Sequence, residues 1–204
     1  MRIRKICYVV TIPTTIRSFF MSQLQYLAKH GFDVSVICAR DEKLLEDMGN
    51  GIHYIPTDIP RGISFGGSIK AVKELINIFK REKFDLIQYS TPNAALYASI
   101  AAKIVGCKIR NYHLMGFRYL GAHGIGKSIL KTIEKVSCWN STSIECVSRS
   151  NLELGIKEKV FPAEKATVVW NGSTGGVNLE RFDYFKRDVW RNKLREELGY
   201  EESS

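Results

Sequence analysis

Short apolar runs rich in β-forming residues alternate along this chain with longer segments whose apolar positions recur at helical spacing. The first run, residues 6–10, is followed by a turn at 11–15 and by helical spacing over 19–28. Gly31 ends that segment, and a second apolar run follows at 34–38. The pattern predicts a strand, a helix and a strand, and strands joined in this way run parallel with a right-handed crossover.

The same alternation continues toward the C-terminus. It predicts five more strands, at residues 53–55, 85–89, 108–113, 142–147 and 166–170. It also predicts helices at 68–83, 94–105 and about 126–139, and a short helix that begins at Ser148. Seven strands alternating with helices predict an α/β fold, a Rossmann-like doubly wound sheet that is mainly parallel and has helices on both faces.

Composition adds a boundary near the C-terminus and excludes several classes of protein. From Asp183 the chain becomes highly charged, so we interpret 1–183 as one domain and 184–204 as a charged helix and linker. Hydrophobic residues make up 45% of the 204 residues, which is enough for a real core. No apolar run approaches the ~20 residues that span a bilayer. The five cysteines include no C-x-x-C pair, which indicates buried reduced thiols and no zinc site.

The formal charge of +9 is unevenly spread. Residues 103–135 carry seven Lys or Arg and one acidic residue, Glu134. Within the helix predicted to end at about residue 139, one face carries the basic residues and the opposite face carries the apolar ones. These are Lys127, Lys131 and Lys135 against Ile125, Ile129, Ile133 and Val136. The basic face fits docking on anionic lipid, and it equally fits an ordinary solvated surface over a core stripe.

Polar residues cluster just beyond the predicted carboxyl ends of the strands, where doubly wound sheets bind ligands. The segments are 11–17, 90–93, 113–118, 148–151 and 171–172. They supply hydroxyls, amides, glycines, arginines and one histidine, but no pair of carboxylates. This set argues against a two-carboxylate hydrolase and a carboxylate-held metal, and it suits recognition of hydroxyl groups and phosphate.

Four pieces of the chain resemble one family: FDLIQYSTPNAALYASIAA, YHLMGFRYLG, ECVSRSN and VVWNGSTGGVNLERF. They look like the N-terminal half of family 4 glycosyltransferases, GT-B enzymes that build capsule and other bacterial surface polysaccharides. The resemblance implies that 1–183 binds the acceptor and that 184–204 leads to a C-terminal domain that binds the nucleotide-sugar. It implies retaining transfer, from a UDP-sugar to a lipid-linked or polysaccharide acceptor, with no metal and no cofactor. The implied location is cytoplasmic, with peripheral attachment to the inner face of the cell membrane.

The resemblance also suggests roles for individual residues. Thr14 and Thr15, in the loop that is glycine-rich in the family, are candidates to contact the donor phosphate. Arg17, close to that loop, is a third candidate. The candidates for acceptor binding are Asn93, Met115, Gly116, Phe117, Arg118 and Ser148. The family often has a histidine where Met115 stands here, and His113 precedes it by two residues. His113 is the catalytic candidate, and its alternative role is a strand-end residue bonded to a neighbouring loop. Phe117 and Arg118 either cover a sugar ring or pin their loop.

Two other functions are open on the sequence alone. Residues 121–128 match the G-x-x-x-x-G-K-[ST] pattern of a P-loop, although a true P-loop directly follows a strand and seven residues, 114–120, intervene here. The basic stretch also fits a nucleic-acid-binding module, but it lacks an interleaved aromatic pattern, so we expect no nucleic-acid partner. Since the family's donor-binding residues lie in a second domain, we expect the 204 residues alone to be inactive.

Overall fold

The fold is a single parallel sheet of seven strands in a computed structural model. The structure describes residues 4–60, 62, 65–177, 179 and 182–200. The strands are β1 Lys5–Val9, β2 Asp33–Cys38, β3 Ile52–Pro56, β4 Leu86–Tyr89, β5 Ile109–Leu114, β6 Ser143–Cys146 and β7 Ala166–Thr167. All six pairings are parallel, so the predicted doubly wound sheet is confirmed.

Helices connect every pair of consecutive strands, and between the last pair a short 3-10 turn at Ala163–Lys165 follows the helix. After β1 the chain forms α1, a π-helical stretch and α2 without a break, and Gly31 follows with a φ of +82°. The α-helices are α1 Pro13–Thr15, α2 Met21–Lys29, α3 Glu42–Met48, α4 Phe65–Glu82, α5 Pro92–Ile104, α6 Gly124–Asn140, α7 Arg149–Lys157 and α8 Arg187–Glu197. Helix α3 was not predicted from the sequence, and β7 has two residues where the sequence predicts five.

The strand order is β3-β2-β1-β4-β5-β6-β7, so the direction of winding reverses between β1 and β4. At this switch point Val9 lies opposite Ile37 on one side and Tyr89 on the other. The loops after β1 and β4 therefore diverge to opposite faces and leave a crevice at the carboxyl edge of the sheet.

Each face of the sheet has its own apolar core. On one face α2 and α3 cover β1, β2 and β3, with Leu24 and Leu44 fully buried. On the other face α4, α5 and α6 cover the strands through Leu75, Ala98 and Cys138. Tyr89 and Tyr112 belong to this second core.

All five cysteines are free and buried. Burial raises the pKa of Cys38 to about 12 and that of Cys146 to about 11. These thiols therefore stay protonated and pack as small apolar groups.

The chain divides into two compact units, Met1–Thr174 and Gly175–Ser204. The predicted boundary between 183 and 184 falls inside the second unit, whose helix α8 has no buried residue. The predicted polar tail, 201–204, lies outside the described residues, as do three positions of the C-terminal motif, 178, 180 and 181. No helix in the described part of the chain is long and apolar enough to cross a membrane.

Candidate functional site

A cleft of about 310 Å³ lies at the switch point, beyond the carboxyl ends of β1 and β4. Three of the polar segments predicted from strand ends meet there, together with the loop before α4. The lining residues are Thr11, Ile12, Thr15, Gly62, Thr91, Pro92, Asn93 and Arg118. Larger cavities of about 440 and 600 Å³ lie at the opposite edge of the sheet. We assign the site to the cleft because doubly wound sheets bind ligands at their carboxyl edge.

Two threonines join the loops on either side of the switch point. The hydroxyls of Thr11 and Thr91 lie 2.8 Å apart, and Oγ1 of Thr91 also accepts a hydrogen bond from the backbone N–H of Thr11 at 3.3 Å. Thr91 has a φ of +70°, a conformation that is uncommon for a β-branched residue. Backbone strain of this kind persists where the surrounding contacts enforce it, and it is frequent at functional sites.

Asn93 organises the cleft through its amide group. Its Nδ2 donates to the carbonyl oxygens of Pro60 and Gly62, at 2.8 and 2.7 Å, and so fixes the loop before α4. Its Oδ1 lies 3.4 Å from Nη1 of Arg118, which donates to it. The side chain of Asn93 therefore positions both walls of the cleft, with its amide hydrogens already used.

Arg118 is the cation of the cleft. It is exposed at the start of the 3-10 turn Arg118–Gly121, and within the described part of the chain no carboxylate pairs with it. A guanidinium with free N–H groups at a cleft is suited to bind phosphate or carboxylate. Arg118 lines the cleft, and its role in acceptor binding stays a prediction.

Arg17, predicted to contact donor phosphate, is held by two aspartates instead. Its Nη1 and Nη2 donate to Asp41 at 2.9 and 3.0 Å, and its Nε donates to Asp47 at 2.5 Å. The Arg17 guanidinium holds the pKa of Asp41 down to about 2. Its charge is thus neutralised by α3 and the residue that precedes it, and Arg17 does not line the cleft.

The two threonines predicted beside Arg17 lie in different environments. Both belong to α1, so this loop is already helical where the sequence predicts a turn. Thr15 is buried and lines the cleft, whereas Thr14 is exposed and does not. Donor contact by Thr14 and Thr15 stays a prediction.

His113 lies at the end of β5, 2% exposed, on the face covered by α2. Phe20 meets its ring edge-on, with centroids 5.3 Å apart. Oε1 of Glu145 is 3.3 Å from Nδ1 but outside hydrogen-bond geometry, and the histidine lowers the pKa of Glu145 while burial opposes that shift. The ring is therefore a buried neighbour of the cleft rather than part of its lining, and its catalytic role stays a prediction.

The other predicted acceptor residues make local structural contacts, and their roles in acceptor binding stay predictions. Met115 packs against the core under α2, and Gly116 is partly buried next to open space. Phe117 is 6% exposed and packs on Phe161, which is the loop-pinning role. Ser148 caps α7, because its Oγ accepts from the N–H of Asn151 at 3.2 Å.

The orientation predicted for α6 is wrong. Ile125 and Ile129, assigned to the core, are 81% and 44% exposed. Lys131, assigned to the outer face, donates to Glu158 at 2.7 Å, while Lys127 and Lys135 are exposed. The helix packs through a different set of positions, the buried residues Glu134, Ser137, Cys138 and Asn140.

Sequence reasoning also missed Glu134, a carboxyl group that is 2% exposed beneath α6. The hydroxyl of Tyr112 donates to its Oε1 at 2.6 Å. Burial raises the pKa of Glu134 to about 7, although the bond from Tyr112 works against this. The burial of Glu134 could have been found from the helical wheel, which places position 134 on the same face of the helix as positions 130, 137 and 138.

The structure contradicts the P-loop alternative. The segment 121–128 lies six residues beyond the end of β5, and its residues from Gly124 onward are already α-helical. A P-loop requires an open loop directly after a strand to surround the phosphates. Among the described residues, moreover, no group of three or more His, Cys, Asp or Glu could hold a metal ion.

The fold and the cleft define a doubly wound α/β domain with a cleft at the carboxyl edge of its sheet. The model of Glycosyltransferase Family 4 matches residues 18–174. The chain belongs to this family, as its motifs indicate.

Two curated relatives resemble nearly the whole chain. The capsular polysaccharide biosynthesis glycosyltransferase CapM of Staphylococcus aureus is 30% identical over 197 residues, which are 96% of this chain and 50% of that protein. The UDP-Gal:alpha-D-GlcNAc-diphosphoundecaprenol alpha-1,3-galactosyltransferase of Escherichia coli is 24% identical over 184 residues, 87% of this chain and 46% of that protein. The chain thus spans about half the length of the curated relatives it matches.

Solved structures share the fold. The Anabaena protein Alr3699/HepE, in complex with UDP and glucose, matches with a TM-score of 0.67 at 17% identity, over 96% of this chain and 50% of that one. A UDP-N-acetylglucosamine 2-epimerase from Rickettsia bellii matches with a TM-score of 0.64 at 15% identity, over 98% and 52%. Because a protein that holds UDP and glucose and an epimerase share this architecture, the likeness establishes fold and not activity.

Proposed function

We propose that this chain is the N-terminal, acceptor-binding half of an enzyme that transfers a sugar from a UDP-sugar to a glycan acceptor. The observation that carries the proposal is the switch-point cleft, which is lined by three threonines and by Arg118, a cation that pairs with no carboxylate among the described residues. Hydroxyls bind sugar hydroxyl groups, and a guanidinium binds phosphate. Membership of Glycosyltransferase Family 4 supports the reaction.

The names of the relatives support finer assignments. The Escherichia coli relative is named for a UDP-Gal donor and a diphosphoundecaprenol-linked acceptor, and the Anabaena structure holds UDP. We infer a UDP-sugar donor, bound mainly by a further domain, and a lipid-linked acceptor whose phosphate contacts Arg118. Transfer proceeds with retention and without a metal, as the resemblance to the family suggests.

Acceptor binding is testable on the chain itself. A water-soluble analogue, an alkyl-diphospho-N-acetylglucosamine, is titrated into the ¹⁵N-labelled protein. We expect shifts in the amide signals of Thr15, Thr91 and Asn93 and at least tenfold weaker binding by Arg118→Gln, because a charge-assisted hydrogen bond contributes about 1.5–3 kcal/mol. Arg17→Gln is the matched control, since Asp41 and Asp47 already hold that guanidinium. Equal loss in both variants, or no shifts at the cleft, contradicts the proposal.

We also propose peripheral attachment to an anionic membrane surface through the exposed surface of α6. Ile125 and Ile129 are exposed on one face of this helix, and Lys127 and Lys135 are exposed on the opposite face. This mixture of apolar and basic residues is typical of interfacial helices. Each exposed lysine contributes about 1 kcal/mol of attraction to anionic lipid, so removal of both weakens binding about 30-fold.

Sedimentation with phosphatidylglycerol vesicles tests this attachment. Lys127→Gln combined with Lys135→Gln should weaken binding, and Lys131→Gln, whose lysine is paired with Glu158, should not. Binding that is absent at low salt, or equal in all variants, rejects the assignment.

A further inference from the structure

A second, narrower pocket of about 50 Å³ continues from the cleft and runs between α5 and α6. Asn93, Arg118 and Gly62 line both spaces and so form the mouth of the narrow one. Its walls are largely apolar, and its polar groups are few. The walls are Pro92, Leu96, Leu130 and Ile133, and the polar groups beyond the mouth are Ser68, Tyr97 and Glu134. Apolar walls with a few convergent polar groups are typical of small-molecule sites.

Glu134 is the group at this pocket that the proposed function leaves unexplained. Its Oε1 accepts from Tyr112, but a carboxylate has four acceptor positions. In the part of the chain that the structure describes, no Lys, Arg or His forms an ion pair with Glu134. A buried carboxylate without a cation is costly, and such groups cluster at functional sites.

The size and charge of the pocket restrict what can enter it. A water occupies about 10–15 Å³ by this kind of measure, so there is room for about three or four non-hydrogen atoms. The guanidinium of Arg118 at the mouth disfavours a cation, and Glu134 disfavours an anion. The group that reaches Glu134 must also be a hydrogen-bond donor. A hydroxymethyl group meets these requirements, whereas an acetamido group ends in a methyl and a carbonyl oxygen, neither of which donates.

We propose that this pocket is a subsite that receives the hydroxymethyl group of the acceptor sugar, whose hydroxyl donates a hydrogen bond to Glu134. This assignment rests on the proposed acceptor-binding function and makes Glu134 a specificity-determining residue. A pentose, which lacks the hydroxymethyl group, leaves the carboxylate unmatched. A site built to bond a hydroxyl rejects an analogue without it much more strongly than an apolar pocket does.

The experiment compares two probes on the ¹⁵N-labelled protein at pH 8, where the carboxyl group is largely ionised. Methyl α-D-glucopyranoside carries the hydroxymethyl group, and methyl α-D-xylopyranoside lacks it. We expect the glucoside to bind at least tenfold more tightly and to shift the amides of Leu130 and Glu134. Glu134→Gln should reduce that preference to less than threefold, and Glu153→Gln, an exposed change on α7, should leave it intact.

A second variant tests whether the preference depends on the volume of the pocket, whereas Glu134→Gln tests whether it depends on the charge of the carboxylate. Leu130→Phe fills the pocket while keeping Glu134, so it should remove the preference as well; far-UV circular dichroism checks that both variants fold. Equal binding of the two glycosides by the unmodified protein, or an unchanged preference in Glu134→Gln, overturns the subsite. In that case shifts at Thr91 and Asn93 would still support the acceptor cleft, whereas no shifts with either glycoside would reject both.

Discussion

Replacing Glu134 by Gln should change how the stability of the protein depends on pH. The carboxyl group has a pKa of about 7 in the folded chain, compared with an ordinary 4.5, because it is buried. The folded state therefore holds this proton more tightly than the unfolded state does. This tighter proton binding by Glu134 stabilises the folded state fully below pH 4.5. The stabilisation declines as the pH rises, and it is lost above about pH 7.

The size of the effect follows from the two pKa values. Their difference corresponds to about 3 kcal/mol of unfolding free energy lost between pH 4.5 and pH 8. Gln keeps an oxygen that can accept from Tyr112, but it does not ionise. The difference in unfolding free energy between Glu134→Gln and the unmodified protein should therefore move by about 3 kcal/mol in favour of the variant over this range.

Urea denaturation at half-unit steps of pH from 4.5 to 8 measures this difference. The pH slope is the informative quantity, because an unpaired amide hydrogen in the variant adds a constant offset of about 1–3 kcal/mol. Glu153→Gln, an exposed substitution on α7, should run parallel to the unmodified protein. A difference for Glu134→Gln that stays within about 1 kcal/mol across the range would refute the reasoning, since it would mean that the carboxyl group is hydrated.

Further predictions concern packing and the switch point, each measured by urea denaturation at pH 7. Gly155→Ala should cost about 1–3 kcal/mol, because the added Cβ would overlap Cζ of Phe161; no loss would mean that the ring moves freely. Gly126→Ala, in α6 with nothing within 4 Å of its Cβ, should instead stabilise by up to about 1 kcal/mol, and a loss would contradict the helical assignment. Thr11→Val and Thr91→Ala should show a coupling energy of about 0.5–1.5 kcal/mol in a double-mutant cycle, and additive effects would argue against the hydroxyl pair.

The parallel sheet and the position of the cleft follow from local sequence, whereas the partners of the charges at the cleft do not. Apolar runs and capping residues such as Ser148 specify parallel strands, and parallel strands bring their carboxyl ends to one edge. The two aspartates that neutralise Arg17 lie 24 and 30 residues away, and no local pattern links them to it. A free cation and a neutralised one look the same in sequence.

The rotation of α6 was unpredictable for a different reason. Its isoleucines and lysines form two clean faces, and the apolar face is the natural choice for the core. In the structure a third face of the helix, the one that carries Glu134, is buried. It packs against α5, and Glu134 accepts a hydrogen bond from the hydroxyl of Tyr112. A buried carboxylate runs against the hydrophobic pattern, and such conflicts between local pattern and tertiary structure are expected at functional sites.

The burial of all five native thiols has a practical consequence for studying this protein. Because each is shielded and protonated, a maleimide reagent should leave the folded chain almost unmodified at neutral pH. A single cysteine introduced at an exposed position on the cleft rim, such as Arg118→Cys, would then be the sole fast-reacting thiol. Fluorescent or spin labels could be placed there without first removing any native cysteine.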